Sequence, residues 1–169
     1  MKCQLLNMDE NVIIPYDKVY LQDLARLVTS IQQNEFGIPI TLEEQPDLID
    51  IPGFFLVGNG NFWLALRDGG VVGCIALKDI GKGRGALRKM FVDARYRGSS
   101  YGIGQGLLDT LLAWARGKGF EEILLGTTDK FLAAHRFYEK NGFCAISKSS
   151  LPQEFPVASV DSIFYRLSL

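Results

Sequence analysis

The 169-residue chain has three cysteines, one histidine and a formal net charge of only −1. Cys3, Cys74 and Cys144 are too far apart for a metal or redox motif, and their odd number does not suggest a disulfide framework. We therefore expect reduced, mostly buried thiols, with Cys144 in the core. His135 alone makes a histidine-based metal site improbable. The small net charge gives no bulk basic field that would attract nucleic acid or a membrane surface.

Long apolar runs are also missing. No stretch approaches the roughly 20 apolar residues that a membrane span needs, and residues 1–9 contain no long apolar signal core. These absences predict a cytoplasmic protein that binds no nucleic acid, membrane or metal. The length, the 47% hydrophobic content and the lack of a repeat or linker predict one domain over residues 1–169.

Hydrophobic periodicity and turn signals predict the elements in order. We expect helices near 17–34, 42–50, 104–118 and 131–141, and strands at 62–67, 71–77, 87–92, 123–127, 143–148 and 160–168. The second helix rests on a capping-box pattern, Thr41 with Glu44 three residues later. The predicted fold is a mixed α/β sheet domain: two N-terminal helices, an antiparallel meander, and strands and helices alternating after it.

A glycine-rich loop before the third helix is the most informative segment. It reads Arg97-Gly98-Ser99-Ser100-Tyr101-Gly102-Ile103-Gly104-Gln105 and follows the strand 87–92. Bare backbone N–H groups at the positive end of a helix dipole favour a phosphate, although such glycines can also serve close packing. A dinucleotide fold is disfavoured because Glu121 and Glu122 precede the next strand instead of following it. A P-loop is excluded because no Gly-Lys-Ser/Thr follows.

Six cations crowd the sixteen residues before and within this loop: Lys82, Arg84, Arg88, Lys89, Arg95 and Arg97. Such a run is either a solvated basic face or a pocket for a polyanion. Its position directly before the glycine loop favours the polyanion.

Two segments resemble motifs of the GNAT superfamily, the acetyl-CoA-dependent N-acetyltransferases. Residues 87–98 with the loop after them resemble motif A, and Ala134-His135-Arg136-Phe137-Tyr138-Glu139-Lys140-Asn141-Gly142-Phe143 is similar to the "FYEK-x-GF" segment. The resemblance implies splayed central strands, a bulge in the strand 87–92, and a βαβαββ C-terminal half. It implies that the backbone of Met90, Phe91 and Val92 pairs with the pantetheine of acetyl-CoA, and that loop residues 97–105 hold the pyrophosphate.

The loop is two residues longer than the family pattern. Either Ser99 stands where the family has Arg or Gln, or the loop bulges outward. Phe131 stands where many relatives carry an asparagine that contacts the pantetheine. This implies that Phe131 packs against the thioester arm, or that Thr128 or Asp129 replaces the lost contact.

The activity implied is transfer of an acetyl group from acetyl-CoA to a primary amine by direct attack, with Tyr138 as the general acid. Considered alone, Tyr138 is more typical of a half-buried aromatic on an amphipathic helix than of a general acid. The oxyanion donor would be the Phe91 or Val92 N–H. The general base is unassigned: Glu35, Glu43, Glu44, Asp161 and water are candidates, whereas His135 is more typical of packing.

The acceptor is predicted only by class, as a small-molecule amine or a peptide amine bound to a monomer or homodimer. Acidic residues in the first fifty positions suit a cationic amine, although solvated helices explain them equally well: Glu35, Glu43, Glu44, Asp47 and Asp50. Four aromatics either line this region or pack in the core: Phe36, Phe54, Phe55 and Phe155. The rival hypothesis is a non-catalytic acyl-CoA-binding sensor.

Overall fold

The fold is built on a seven-stranded mixed sheet with strand order β1-β2-β3-β4-β5-β7-β6, and helices pack on both of its faces. The computed structural model describes residues 10–169, so the expectations for residues 1–9 and for Cys3 lie outside it. The strands are β1 (Val12–Pro15), β2 (Asn61–Arg67), β3 (Gly70–Gly81), β4 (Arg84–Val92), β5 (Glu122–Thr127), β6 (Cys144–Ile146) and β7 (Ile163–Ser168). The α-helices are α1 (Leu21–Ser30), α2 (Pro46–Ile49), α3 (Ile51–Phe55), α4 (Ile103–Gly117) and α5 (Leu132–Lys140).

The predicted fold class is confirmed. Strands β1 to β4 form an antiparallel meander, β4 and β5 are parallel, and β7 lies antiparallel between β5 and β6. The order β4-α4-β5-α5-β6-β7 is the expected βαβαββ half. None of the helices formed by residues 10–169 is both long and apolar enough to cross a bilayer.

The sheet separates two hydrophobic cores. On one face α4 buries its leucine stripe, Leu107, Leu108, Leu111 and Leu112, against β3 and β5. On the other face α1, α2 and α3 cover β2 and β3 through residues such as Leu24, Leu48 and Phe55. We call these two sides the α4 face and the α1 face.

The N-terminal helices are shorter than predicted. The expected helix 17–34 is a 3₁₀ turn (Lys18–Tyr20), α1, and a π-helical turn (Ile31–Glu35). The expected helix 42–50 begins only at Pro46 and is followed by a separate turn, α3, with Pro52 in its first turn. A proline is favoured at the start of a helix and disfavoured inside one, so two prolines six residues apart produce two short helices.

Two further expectations fail at the edges of the sheet. Strand β1 was not predicted, because four residues ending in Pro15 carry too weak a strand pattern; proline is tolerated there because β1 is an edge strand. Cys144 was expected in the core but is exposed, since β6 is a three-residue edge strand. Cys74 is fully buried, as predicted.

Candidate active site

The central strands separate in the middle of the sheet. Strand β4 pairs with β5 only from Arg84 to Ala86, and no pairing follows from Leu87 to Val92. The expected splay is therefore present. It leaves one edge of the second half of β4 without a partner strand among the described residues, so its backbone groups are available to a ligand.

A β-bulge lies at the start of this open segment. Cys74 of β3 pairs with Phe91 and Ala76 pairs with Arg88, so Lys89 and Met90 together lie opposite the single residue between them on β3. Lys89 has a φ of 52°, in the left-handed region that non-glycine residues seldom adopt. Its carbonyl accepts a hydrogen bond from the buried Cys74 thiol at 3.0 Å. Burial raises the pKa of that thiol to about 12, so it remains a neutral donor.

The backbone amides of β4 alternate between its two edges. The Asp93 N–H donates to Val72 O on β3 at 2.8 Å. Because successive N–H groups of an extended strand point to opposite edges, the Phe91 N–H also faces β3, where it contacts the Cys74 sulfur. The Met90 and Val92 N–H groups then face the opening between β4 and β5.

A cleft of about 530 Å³ occupies this opening. We call it the open-strand cleft. Its walls come from β4, the start of α4, the start of α5 and the π-helical turn, and they include Val92, Gly104, Arg97, Lys130 and Phe137. An elongated ligand lying here would run along the free edge of β4 towards the first turn of α4.

The glycine loop ends this cleft. Gly102 caps α4 with a φ of 65° and Gly98 has a φ of 104°, two left-handed conformations that glycine adopts without strain. The first helical hydrogen bond runs from the Gly106 N–H to Gly102 O at 2.9 Å, so the N–H groups of residues 103–105 lie before the helical ladder. They point to the side where an anion is stabilised by the helix dipole.

The additional residues in the loop turn outward. The Tyr101 and Gly102 N–H groups both donate to Gly98 O at 3.3 Å, which leaves Ser99 and Ser100 exposed at the tip of the turn. The Tyr101 ring packs edge-on against Tyr96, with ring centroids 5.5 Å apart. The outward bulge is therefore the alternative that the loop adopts. The Gln105 side chain is held by Asp109 and by Asn141 of the turn after α5.

Arg97 is held by two groups of the protein. Its guanidinium forms a two-pronged ion pair with Glu35, with Nη2 2.8 Å from Oε2, and its Nε donates to Val92 O at 2.9 Å. The pair joins the π-helical turn to the end of β4. Arg97 thus forms a wall of the cleft while its charge is balanced.

The six cations do not form one polyanion pocket. Each is paired with a carboxylate: Lys82 with Glu154, Arg84 with Glu122, Arg88 and Lys89 with Asp47, Arg95 with Asp93, and Arg97 with Glu35. Closeness in the sequence did not predict closeness in space here, because β4 and the segment after it direct these side chains to several surfaces. Asp47 and Glu35 are two of the five residues of the expected acidic surface, and these ion pairs balance their charges.

A second pocket, of about 290 Å³, lies on the other side of the opening. We call it the bulge pocket. It is lined by Arg88 and Lys89 of the bulge, Asp47 of α2, Gly126 of β5 and Asp161 of the loop before β7. Five residues line both cavities and so mark their junction: Met90, Phe91, Phe131, Ala134 and Tyr138.

Tyr138 lies at this junction, on α5. Its ring packs against Phe143 and Tyr165, with centroids 5.5 Å and 6.1 Å away. Burial raises the pKa of its hydroxyl above the ordinary tyrosine range. The hydroxyl has no hydrogen-bond partner among residues 10–169, although it lines both cavities, so its proton is available to a ligand.

Phe131 begins α5 and packs edge-on against Phe36, with ring centroids 4.4 Å apart. Phe36 follows the π-helical turn, so the aromatic pair connects the N-terminal helices with α5 across the opening. Phe36 was proposed for the acceptor side and instead lines the open-strand cleft. Phe55 and Phe155 are buried in the cores.

The family resemblance implies that the Phe131 ring packs on the pantetheine arm, so the Phe131→Ala variant should bind acetyl-CoA about 2- to 12-fold more weakly, because losing roughly 20–60 Å² of apolar contact costs about 0.5–1.5 kcal/mol. The measurement is the dissociation constant by titration calorimetry. Phe54→Ala, which removes an exposed phenyl ring on α3, is the control and should leave that constant unchanged. Equal affinities for the Phe131→Ala variant and the wild type would contradict a contact between this ring and the cofactor.

Of the candidate bases, Asp161 has the most suitable surroundings. Its Oδ2 accepts a hydrogen bond from the Ala158 N–H at 2.8 Å. Burial raises the pKa of its carboxyl group, against the opposing effects of that N–H and of Arg88. The side chain lies against Gly126, where an added Cβ would come within 2.6 Å of Oδ2.

Glu35, Glu44 and His135 have partners within the protein, whereas Glu43 is exposed and lines neither cavity. Glu35 pairs with Arg97, and Glu44 accepts from the Thr41 N–H at 2.8 Å, as the capping-box pattern predicted. His135 Nε2 lies 2.9 Å from Thr128 O and must donate to it, because a carbonyl only accepts; this is the packing role expected from the sequence. Among residues 10–169 there is no cluster of three or more His, Cys, Asp or Glu side chains arranged to hold a metal ion.

A bulged strand, an open sheet edge and a glycine-capped helix converging on one cleft define an acyl-CoA-type transferase architecture. The sequence profile of the Acetyltransferase (GNAT) family matches residues 25–143, so the chain belongs to this family. An acetyltransferase of the GNAT family from Staphylococcus aureus Mu50 superposes with a TM-score of 0.89 at 40% identity, over 94% of this chain and 98% of its own.

One further relative and one structure of the same fold were also found. N-acetylaspartate synthetase from Xenopus tropicalis is 37% identical over 99 residues, which are 57% of this chain and 36% of that protein. The chain thus spans about a third of that relative's length. A PaiA N-acetyltransferase from Thermoplasma acidophilum, crystallised with coenzyme A, shares the fold with a TM-score of 0.73 at 17% identity, over 95% of this chain and 99% of its own.

Proposed function

We propose that the protein transfers the acetyl group of acetyl-CoA to the primary amine of a small acceptor by direct attack. The observation that carries this proposal is the junction of the two cavities at Tyr138: one cavity follows the free edge of β4 to the helix N-terminus, and the other is smaller and is lined in part by charged side chains. Family membership and a fold neighbour crystallised with coenzyme A support it.

The open-strand cleft fits acetyl-CoA. The Met90 and Val92 amides would pair with the pantetheine arm as a missing strand does. The N–H groups of Ile103, Gly104 and Gln105 would bind the pyrophosphate. Phe131 would pack beside the arm, and Arg97, Gly98, Ser99, Ser100 and Tyr101 would form the wall and loop around this end of the cleft.

The thioester would then lie at the junction, where the amine can reach it from the bulge pocket. The cofactor supplies an activated acetyl carbon. An N–C bond forms and the C–S bond breaks, so one proton must leave the nitrogen and one must reach the sulfur. Asp161 accepts the first proton and Tyr138 donates the second, while an amide on the open edge of β4 stabilises the developing oxyanion.

The Phe91 N–H, one of two oxyanion donors expected from the sequence, faces β3. Met90 or Val92 therefore suits this role better. No cysteine is needed as an acyl carrier, since Cys74 is fully buried and Cys144 lies on the edge strand β6. We further propose that residues 1–169 act as one cytoplasmic domain, as a monomer or homodimer, on small-molecule amines in preference to peptide amines.

The direct test is thiol release from acetyl-CoA in the presence of a panel of small amines, amino acids and peptides. We expect at least one acceptor to release coenzyme A well above the hydrolytic background, with an acetylated amine of matching mass. The rival function, a non-catalytic acyl-CoA sensor, predicts acetyl-CoA binding with no turnover on any member of the panel. A calorimetric titration with acetyl-CoA on the same sample separates the two.

A further inference from the structure

The bulge in β4 places two consecutive cations on the same face of the sheet. In a regular strand, neighbouring side chains point to opposite faces. Leu87 and Met90 pack on the α4 face, whereas Arg88 and Lys89 both reach Asp47 of α2, which lies on the α1 face. The extra residue at the bulge is what allows this, because it interrupts the alternation between Arg88 and Met90.

Both cations are largely removed from solvent. The side chain of Arg88 is 20% exposed and that of Lys89 is 9% exposed. Lys89 Nζ lies 3.2 Å from Asp47 Oδ1 and 2.8 Å from Gln45 Oε1, and the Gln45 amide is hydrogen-bonded in turn to the buried Gln32. This network holds the Lys89 ammonium at the wall of the bulge pocket.

Several N–H donors of Arg88 have no hydrogen-bond acceptor among the described residues. Its Nη1 donates to Pro156 O at 2.6 Å, whereas its Nη2 is 3.9 Å from Asp47, beyond hydrogen-bonding distance. A guanidinium carries five N–H donors, and the described residues supply this one with a single hydrogen-bond acceptor. A largely buried arginine side chain whose unused donors remain accessible, lining a pocket beside an ammonium, suits a carboxylate.

Three carboxylates also line the bulge pocket. Asp47 pairs with Arg88 and Lys89, Glu44 comes shortly before Asp47 in the chain, and Asp161 comes from the loop before β7. Arg88 is close enough to influence the ionisation of Asp161, and Pro156, which Arg88 contacts, belongs to the same loop. The pocket therefore places Arg88, whose donors are largely unused, near the Asp161 carboxylate. An α-amino acid also carries an anionic and a cationic group close together, one carbon apart.

We propose that the acceptor is a small α-amino acid whose carboxylate binds Arg88 and Lys89 while its amine faces Asp161 and the thioester. This inference rests on the proposed function. The pocket volume of about 290 Å³ is at the low end for ligand sites, which suits a free amino acid. In a peptide N-terminus, an uncharged amide takes the place of the α-carboxylate, so it cannot form an ion pair with Arg88 or Lys89.

The test compares matched acceptors. Free L-amino acids, their α-carboxamides and the corresponding decarboxylated amines are assayed by thiol release at saturating acetyl-CoA. We expect each reactive amino acid to exceed its carboxamide by at least ~30-fold in kcat/KM, mainly through KM. In the Arg88→Gln variant, the KM for the amino acid should rise by at least ~30-fold, the acid-to-amide ratio should fall towards one, and the KM for acetyl-CoA should stay unchanged.

Two controls keep the outcomes separate. Arg84→Gln removes a cation from the same strand that pairs with Glu122 outside the pocket, and it should leave the acid-to-amide ratio intact. Arg88→Lys should restore part of the preference. Carboxamides or peptides acetylated as well as the free acids would overturn the inference and leave the transferase intact. Release with none of the acceptors would overturn the transferase itself. If Arg88→Gln does not fold, the comparison of free acids with their carboxamides in the wild-type protein still tests the inference.

Discussion

We expect the Tyr138→Phe variant to lose about 10²–10⁴-fold in kcat, the usual contribution of a positioned general acid. Phenylalanine keeps the ring that packs against Phe143 and Tyr165, so the fold and the cofactor cleft should persist. Only the hydroxyl at the junction of the two cavities is removed. The measurements are kcat by thiol release and the dissociation constant for coenzyme A, which should stay within about twofold of the wild-type value.

The matched control is Tyr165→Phe. Its hydroxyl belongs to the same aromatic cluster but bonds to Glu139 at 2.9 Å and lines neither cavity. This variant should turn over within about threefold of the wild type. Because burial raises the pKa of Tyr138, the wild type should also show no loss of activity from its ionisation below about pH 10. Turnover by Tyr138→Phe at the wild-type rate would remove this residue from the mechanism.

The Asp161→Asn variant should lose about 10²–10³-fold in kcat/KM at neutral pH, because an amide cannot accept the proton of the attacking amine. Asparagine keeps the shape of the side chain and the hydrogen bond from Ala158. The deficit should shrink as the pH approaches the pKa of the acceptor amine, where the amine is already neutral. The measurement is kcat/KM from pH 5 to pH 10 for both proteins.

The sign of the wild-type profile follows from the same carboxyl group. Its pKa is raised by burial, so activity should fall as the pH drops through a value above the ordinary carboxyl range of about 4. Glu154→Gln, which alters an exposed carboxylate of the same loop, should keep the wild-type profile. A deficit in Asp161→Asn that is the same at every pH would show that Asp161 positions the acceptor without taking its proton.

The sequence predicted the fold better than the chemistry of its pockets. Element order follows from local patterns, whereas the splay and the bulge were implied by the resemblance of two motifs to the GNAT superfamily. Strand β1 was missed because a four-residue edge strand gains its stability from pairing with β2, which the sequence of the strand itself does not display. One helix was predicted after Thr41 where the structure has two, because each proline fixes the start of a helix more precisely than hydrophobic periodicity does.

In the candidate site, too, some features were predicted from the sequence and others were not. Backbone features, such as the loop 97–105 and the open edge of β4, were accessible from the sequence because they depend on glycines and strand order. Charge pairing was not, because Asp47 and Arg88 are 41 positions apart in the chain and meet only across the pocket. Two of the five predicted acidic residues, Glu35 and Asp47, therefore pair with three of the six predicted cations: Arg88, Lys89 and Arg97.

The bulge at Lys89 affects both the cofactor side and the acceptor side of the proposed site. In the proposed complex, one inserted residue would both present the Met90 amide to the cofactor and place the Lys89 side chain beside the acceptor. Deleting it would close the strand ladder and rotate the cation away in a single step. Changes of acceptor during evolution, or by engineering, should therefore come from exchanging side chains at positions 88 and 89 while the length of β4 is conserved.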